Sequence, residues 1–188
     1  MDLHGERGPW FAVLARTQRE KLVTSLLERA GYECFLPVYR RRRRWSDRTR
    51  TCDAALFPGY LFCRLDPHDR LPVLSTPGVL QIVGVGKTPI PVADEEIIAI
   101  RRVLESGLST MPWPYLNVGD AVRIEDGPLR GLTGIVVKFK SSTKLVVSVS
   151  LLQRSVAAEV QLSWIGDRRF HSAPVGSAAS TFGSAAST

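Results

Sequence analysis

A segment of eleven residues in the first third of the chain contains the side chains best suited to binding an anion. Residues 40–50 contain seven arginines against a single aspartate, a charge of +6 within a 188-residue chain whose net charge is +7. Guanidinium groups pair well with phosphate oxygens. Together with a sequence pI of about 9.8, the cluster predicts an acidic partner, with nucleic acid the leading candidate. The alternative is a solvated charge run that aids solubility.

A second segment is similar to part of a phosphate-binding loop but lacks its essential features. Residues 84–88 read Gly-Val-Gly-Lys-Thr. The full pattern needs a glycine where Gln81 stands, and a helix directly after the threonine. Pro89 and Pro91 follow instead, and proline disfavours that helix. The sequence therefore does not predict nucleotide hydrolysis.

The remaining reactive residue types form no catalytic or metal-binding pattern. Cys34, Cys52 and Cys63 are not spaced as paired zinc ligands, so we interpret them as small apolar residues. Residues 94–96 are acidic but are better explained as a helix start than as general acids. No nucleophile–base pair is recognisable. The sequence predicts a binding protein, not an enzyme, with no catalytic residue, metal site or cofactor.

The first hundred residues alternate strand and helix patterns. Trp10 to Ala15 predicts a buried strand, and Thr17 with Glu20 forms a capping box for a helix that ends at Gly31. A strand is predicted from Cys34 to Tyr39, and the arginine cluster then forms a basic loop or an extended hairpin. These elements place the cluster between two strands.

The rest of this half continues the pattern. An aromatic-rich strand is predicted over Ala54 to Leu65, with Pro58 and Gly59 marking a bulge or an edge. A further strand is predicted over residues 80–85. Asp94 is predicted to cap a second helix that closes at Gly107. The pattern predicts an α+β unit: a mainly antiparallel sheet flanked by helices.

A change of composition divides the chain. Residues 106–116 contain Pro112 and Pro114 without periodicity, which predicts a linker. Short strands alone follow, at 121–124, 134–140, 144–151 and 155–160, and predict a small all-β barrel. The last residues are polar and end in a twice-repeated Gly-Ser-Ala-Ala-Ser-Thr, which predicts disorder. The predicted domains are 8–107 and 117–165, with a linker at 108–116 and a disordered tail at 166–188.

Two further observations favour a cytoplasmic protein. No apolar run approaches the ~18 residues of a membrane helix. The N-terminal residues show no apolar leader pattern, so we expect no membrane association.

Three motifs together resemble the NusG family of transcription factors. They are Trp10-Phe11 leading a strand into a helix, the run at 56–62 (Leu-Phe-Pro-Gly-Tyr-Leu-Phe) with Thr-Pro-Gly-Val at 76–79, and the segments at 119–124 and 127–134. The first two are similar to the family's N-terminal domain and the third to its KOW domain. The run Arg40 to Trp45 is more similar to specialised RfaH-like paralogues.

The resemblance implies a function and a set of partners. It implies a monomeric transcription elongation and antitermination factor that binds RNA polymerase and the transcription bubble and promotes processive elongation. The polymerase contact would be to the clamp helices of the largest subunit, through an apolar patch of the type found at interaction sites. The implied contact residues are Leu14, Phe57, Pro58, Tyr60 and Ile97. For Phe57 above all, the alternative is a plain core position.

The resemblance also implies nucleic-acid contacts to the non-template strand or to upstream DNA. The arginine run with Trp45 suits single-stranded DNA, which is bound by cations and stacking aromatics. An ordinary solvated helix start is the alternative for Arg16 and Arg19. The implied nucleic-acid residues are Arg16, Arg19, Arg41, Arg42, Arg43, Arg44 and Trp45.

The similarity of the second unit to a KOW domain implies a further partner, either ribosomal protein NusE or the terminator Rho. Leu129 and Arg130, at a loop tip, are the expected contact residues, whereas the glycines at 127, 131 and 134 permit tight turns. The alternative function is an RNA- or ribosome-binding KOW protein that recognises RNA shape.

Overall fold

The computed structural model describes residues 8–45, 48–113, 121–139 and 142–165, with the backbone alone for 42–45, 48–51 and 138–139. The helices are α1 (Glu20–Arg29), α2 (Leu71–Leu74) and α3 (Asp94–Glu105), with a 3₁₀ turn at Leu162–Trp164. The strands are β1 (Trp10–Ala15), β2 (Cys34–Phe35), β3 (Val38–Trp45), β4 (Arg48–Ala55), β5 (Tyr60–Arg64), β6 (Val79–Ile82), β7 (Gly84–Val85), β8 (Thr88–Pro89), β9 (Pro91–Val92), β10 (Thr110–Trp113), β11 (Ala121–Arg123), β12 (Thr133–Phe139), β13 (Ser142–Val149) and β14 (Arg154–Val160).

The first sheet is antiparallel and has a separate core on each face. Its strand order is β2-β5-β1-β6, and β9 also pairs with β1. Alternate residues of β1 face opposite sides. On one side, Phe11 and Val13 pack with Val23 and Leu27 of α1. This arrangement confirms the predicted α+β unit.

The opposite face of the first sheet is covered by α3 and by the second sheet. Ala12 and Phe62 belong to one apolar cluster with Ile100 of α3, and the same cluster continues into Val147 and Val156 of the second sheet. The helix α3 packs against β13. The two sheets therefore share a core.

The second sheet is an all-antiparallel unit of order β10-β14-β13-β12-β11. Its central pair runs from Thr143 opposite Val160 to Val149 opposite Arg154. A bridge between Ile124 and Ile165 joins the end of β11 to the end of the described chain. The predicted strands of the second unit are confirmed to within a few residues.

The predicted linker is wrong at Thr110–Trp113, because these residues form β10 and pair with β14. Pro112 is tolerated there because β10 is an edge strand, where a missing backbone N–H breaks no ladder. The division into domains at 8–107 and 117–165 stays a prediction. The predicted disordered tail lies outside the described residues.

Both predicted helix caps are wrong. Helix α1 begins at Glu20 after Arg19, and α3 begins at Asp94 after Ala93; within the described chain, no side chain caps either first turn. The two acidic side chains have other partners. Glu20 accepts a hydrogen bond from the Gly59 amide, and Asp94 accepts one from Arg64.

The arginine cluster lies on a two-stranded ribbon formed by β3 and β4. Pairing is continuous from Val38 opposite Ala55 to Trp45 opposite Arg48. Of the two predicted alternatives, loop or hairpin, the hairpin forms. Among the described residues, no helix is long and apolar enough to cross a membrane.

Candidate functional site

A tight turn at residues 57–60 presents the aromatic motif. The Tyr60 amide donates to the Phe57 carbonyl at 2.9 Å, and Gly59 adopts a positive φ of 85°, which favours glycine. The Gly59 amide donates to the buried carboxylate of Glu20 at 2.8 Å, and its carbonyl accepts from Ala15 at 2.8 Å. Helix α1 and strand β1 therefore fix the turn.

Phe57 and Ile97 belong to the shared apolar cluster, and Tyr60 packs against it. The five predicted polymerase-binding residues therefore do not form a fully exposed patch. Pro58 is exposed, whereas Leu14 and Tyr60 are half-buried and lie directly opposite each other in β1 and β5. Phe57 and Ile97 are each 1% exposed. The expectation of an exposed patch is therefore wrong for Phe57 and Ile97, because both side chains pack into the core that the first sheet, α3 and the second sheet share.

Three polar interactions join the two units. The Arg154 guanidinium of β14 lies 5.5 Å from the Tyr60 ring centroid. Glu96 of α3 accepts a hydrogen bond from the Ser150 amide at 3.2 Å. Arg102 donates to the Arg130 carbonyl. We call these interactions, with the packing of α3 against β13, the inter-sheet contact.

A pair of arginines holds α3 on the first sheet independently of that contact. The Arg64 guanidinium reaches Asp94 at 3.0 Å and lies 4.8 Å from the Trp10 ring centroid. Arg101 lies 5.1 Å from the same ring and 3.6 Å from Glu33. Sequence reasoning did not identify this cluster, because its members come from separate elements.

The predicted nucleic-acid residues occupy two places. Arg16 and Arg19 are exposed just before α1, where the Arg16 amide donates to the Gly78 carbonyl at 2.8 Å. Arg41 is exposed on the ribbon. The structure gives the backbone positions of Arg42, Arg43, Arg44 and Trp45 on β3, and their side chains lie outside the described part.

The predicted KOW contact residues differ in exposure. Arg130 is exposed, but Leu129 is 0% exposed and belongs to the shared core. The expectation that Leu129 faces a partner is therefore wrong. A leucine in a glycine-rich loop is compatible with either position, and only the packing of the second sheet distinguishes them.

Cys63 is buried and Cys34 is half-buried, as expected for small apolar residues, whereas Cys52 is exposed and does not fit that interpretation. Cys34 and Cys63 lie opposite each other in β2 and β5, with sulfur atoms 3.7 Å apart. The hydrogen bond to Cys63 and burial raise the pKa of the Cys34 thiol well above its usual range. A raised pKa suppresses the reactive thiolate. No group of three or more potential metal ligands occurs in the described ranges.

Comparison with known proteins gives a consistent match. Residues 8–101 match the family model described as "Transcription termination factor nusG". The transcription termination/antitermination protein NusG of Pseudomonas aeruginosa is 30% identical over 171 residues, covering 83% of this chain and 96% of that protein. The same protein of Escherichia coli K12 is 28% identical over 158 residues, covering 81% and 87%.

Similarity to a solved structure extends across both sheets. The structure titled "Domain interaction in Thermotoga maritima NusG" matches with a TM-score of 0.53 and 24% identity, and covers 84% of this chain and 95% of that chain. At this identity the match concerns the fold.

Proposed function

Because this chain belongs to the NusG family of transcription elongation and antitermination factors, we propose that it binds RNA polymerase through the turn at Pro58–Tyr60. Its partner there is the clamp helices of the largest subunit. The observation that carries the proposal is the turn itself. Pro58 is exposed at its tip, and Glu20 holds the backbone in place through Gly59. A rigid turn loses little conformational entropy on binding.

The inter-sheet contact restricts this interaction. The Tyr60 ring lies against Arg154, and Ile97 and Phe57 are buried. In this arrangement a polymerase helix cannot reach Phe57 or Ile97, and it can reach Tyr60 only in part. We therefore propose that the chain has a closed arrangement, with the contact formed, and an open one that binds polymerase with Leu14, Phe57, Pro58, Tyr60 and Ile97. Binding then selects the open arrangement.

The basic residues complete the mechanism. Arg16, Arg19 and the ribbon contact the non-template strand or upstream DNA, and the exposed Arg130 contacts NusE or Rho. Holding polymerase and DNA together stabilises the closed clamp and promotes processive elongation. The protein acts in the cytoplasm as a monomer, by binding and not by catalysis. These assignments rest on exposure, charge and family membership.

Binding of purified core polymerase tests the proposal directly. Tyr60→Ala should lose about thirtyfold in affinity, since an interface anchor typically contributes ~2 kcal/mol or more. Tyr32→Ala is the matched control, because Tyr32 is also half-buried but packs on the opposite core. Equal affinities of the two variants would place the polymerase contact elsewhere. Retention on ribosomes without polymerase binding would favour the RNA- or ribosome-binding alternative.

A further inference from the structure

Two cysteines that are 29 residues apart in sequence lie side by side in the first sheet. Cys34 of β2 is directly opposite Cys63 of β5, and their sulfur atoms are 3.7 Å apart. Residues directly opposite each other in an antiparallel pair have their side chains on the same face of the sheet. Neither thiol is part of a disulfide. The two sulfur atoms are therefore in contact without a bond between them.

The backbone hydrogen bonds show that a disulfide fits at this pair. The Arg64 amide donates to the Glu33 carbonyl at 2.9 Å, so these two neighbours form a hydrogen-bonded pair. Hydrogen-bonded pairs alternate with non-hydrogen-bonded pairs, whose Cα atoms are closer, at about 4.5 Å. Cys34 and Cys63 form the next pair along the strands, which is of the non-hydrogen-bonded type. A disulfide needs Cα atoms about 4.4–6.8 Å apart, so the bond requires rotation of the side chains and little backbone movement.

The surroundings of the pair accept a disulfide as well as two thiols. Cys63 is buried in the cluster between the first sheet and α1, and Cys34 packs against that cluster. A disulfide is apolar, and its formation removes both S–H hydrogens, so no buried donor loses its partner. Cys34 is half-buried, and its sulfur is therefore the one that a small reagent reaches first.

We propose that Cys34 and Cys63 form a reversible disulfide when the protein is exposed to a hydroperoxide. In the first step the Cys34 thiolate attacks a peroxide oxygen, the O–O bond breaks, and a sulfenic acid and hydroxide form; the hydroxide takes up the proton lost by the thiol. The Cys63 thiol then attacks the sulfenic sulfur, the S–O bond breaks, and water leaves with the Cys63 proton. Two thiols and one hydrogen peroxide thus give one disulfide and two waters. A dithiol reductant reverses the oxidation by exchange.

The protonation of Cys34 makes this reaction slow. The hydrogen bond to Cys63 and burial raise the pKa of the Cys34 thiol, and the negative charges of two nearby glutamates add to the shift. Only the thiolate attacks the oxidant, so the exposed Cys52 reacts first. The same negative charges favour an uncharged oxidant, such as hydrogen peroxide, over an anionic one. The pair is therefore suited to sustained oxidation and not to brief exposure.

The bond would secure the base of a long segment of the first unit. The chain between the two cysteines contains the ribbon of β3 and β4 and the turn at 57–60. At the start of this segment, β2 has two residues and lies at the edge of the sheet, so it is attached by a short pairing. A cross-link restricts the unfolded chain, and a longer loop is restricted more. The oxidised protein should therefore be more stable than the reduced protein.

Full-length Cys52→Ser tests the proposal, because only one intramolecular disulfide is then possible. The folded protein is kept with a small molar excess of hydrogen peroxide, and the remaining thiols are alkylated under denaturing conditions. We expect a mass lower by two hydrogens, no alkylated cysteine, and a peptide pair that joins Cys34 to Cys63. Dithiothreitol should restore both thiols. Cys34→Ala combined with Cys52→Ser is the matched control, because it receives the same treatment but cannot form the bond.

A second measurement separates the fit of the bond from the rate at which it forms. The Cys52→Ser chain is oxidised while it is unfolded in denaturant and is then refolded. Chemical denaturation should show an unfolding equilibrium constant at least about tenfold smaller than that of the reduced chain. The control should unfold identically after either treatment.

The other outcomes overturn the proposal. A disulfide between two molecules, oxidation of Cys34 beyond the sulfenic acid, or two free thiols after the peroxide treatment would each show that the pair is not a redox site. An oxidised chain no more stable than the reduced chain would show that the bond does not fit the native strands. Polymerase binding plays no part in either measurement, so the proposed function stands or fails separately.

Discussion

Phe57 and Tyr60 belong to one turn but should respond differently to truncation. Phe57 is 1% exposed and packs edge-on against Phe62, with ring centroids 6.1 Å apart. Phe57→Ala should therefore lower the free energy of unfolding by about 3–5 kcal/mol. Tyr60 is half-buried against Arg154, so Tyr60→Ala should cost clearly less. Chemical denaturation measures the free energy of unfolding of both variants. Similar losses in Phe57→Ala and Tyr60→Ala would mean that Tyr60 is a core residue.

The three thiols should react at very different rates. Cys52 is exposed and Cys63 is buried. The hydrogen bond to Cys63 and burial raise the pKa of Cys34, so its thiolate is scarce at neutral pH. A thiol reagent should modify Cys52 first in the folded protein and all three after denaturation. Mass spectrometry of peptides follows the modification of each thiol. Rapid modification of Cys34 in the folded protein would contradict this placement.

Local sequence predicted the turn at 57–60 but not the exposure of the residues proposed to make contacts. The turn at 57–60 was recognisable from Pro58 and Gly59. The burial of Ile97 and Leu129 was not recognisable, because both pack into a cluster that includes residues of the other unit. Exposure of such residues depends on tertiary packing, which no short motif records.

At the scale of elements, Glu20 links helix α1 to the turn at 57–60. It is a buried carboxylate whose oxygen accepts the Gly59 amide at 2.8 Å. Glu20→Ala leaves that buried amide unpaired and should cost about 1–3 kcal/mol of stability. Glu20→Gln keeps an acceptor and should recover most of the loss. Denaturant unfolding measures the loss of stability in each variant. If Glu20→Ala and Glu20→Gln lose equal stability, the hydrogen bond does not hold the turn.

Periodicity predicted most helices and strands, and the errors have specific causes. Two prolines suggested a linker at 106–116, but Pro112 fits the edge strand β10. Thr17 and Glu20 matched a capping box, but the Glu20 carboxylate is used by Gly59 instead. In both cases a long-range partner outweighed a local pattern.

At the scale of the whole molecule, the sequence predicted two units but not the contact between them. Helix α3 is held on the first sheet by Arg64 and Asp94 and also packs against β13. The contact covers the face proposed for polymerase. A protein that is mostly closed binds its partner more weakly, in proportion to the small fraction that is open. Loosening the contact should therefore strengthen polymerase binding.

The most direct test is the affinity of nucleic-acid-free core polymerase for a loosened variant of the full chain. Glu96→Ala with Arg154→Ala removes the Ser150 hydrogen bond and the cation beside Tyr60. Glu95→Ala with Arg123→Ala is the control, because it changes the same charges at exposed positions of the same two units.

The loosened variant should bind polymerase about 5–30-fold more tightly than the parent, as expected if the lost contacts contribute one or two kcal/mol. The control should match the parent, and adding Tyr60→Ala to the loosened variant should remove the gain. The claim is that the face around Tyr60 binds either the second sheet or polymerase. It would be contradicted if the loosened variant and the parent bound polymerase with equal affinity, or if the gain in affinity survived Tyr60→Ala.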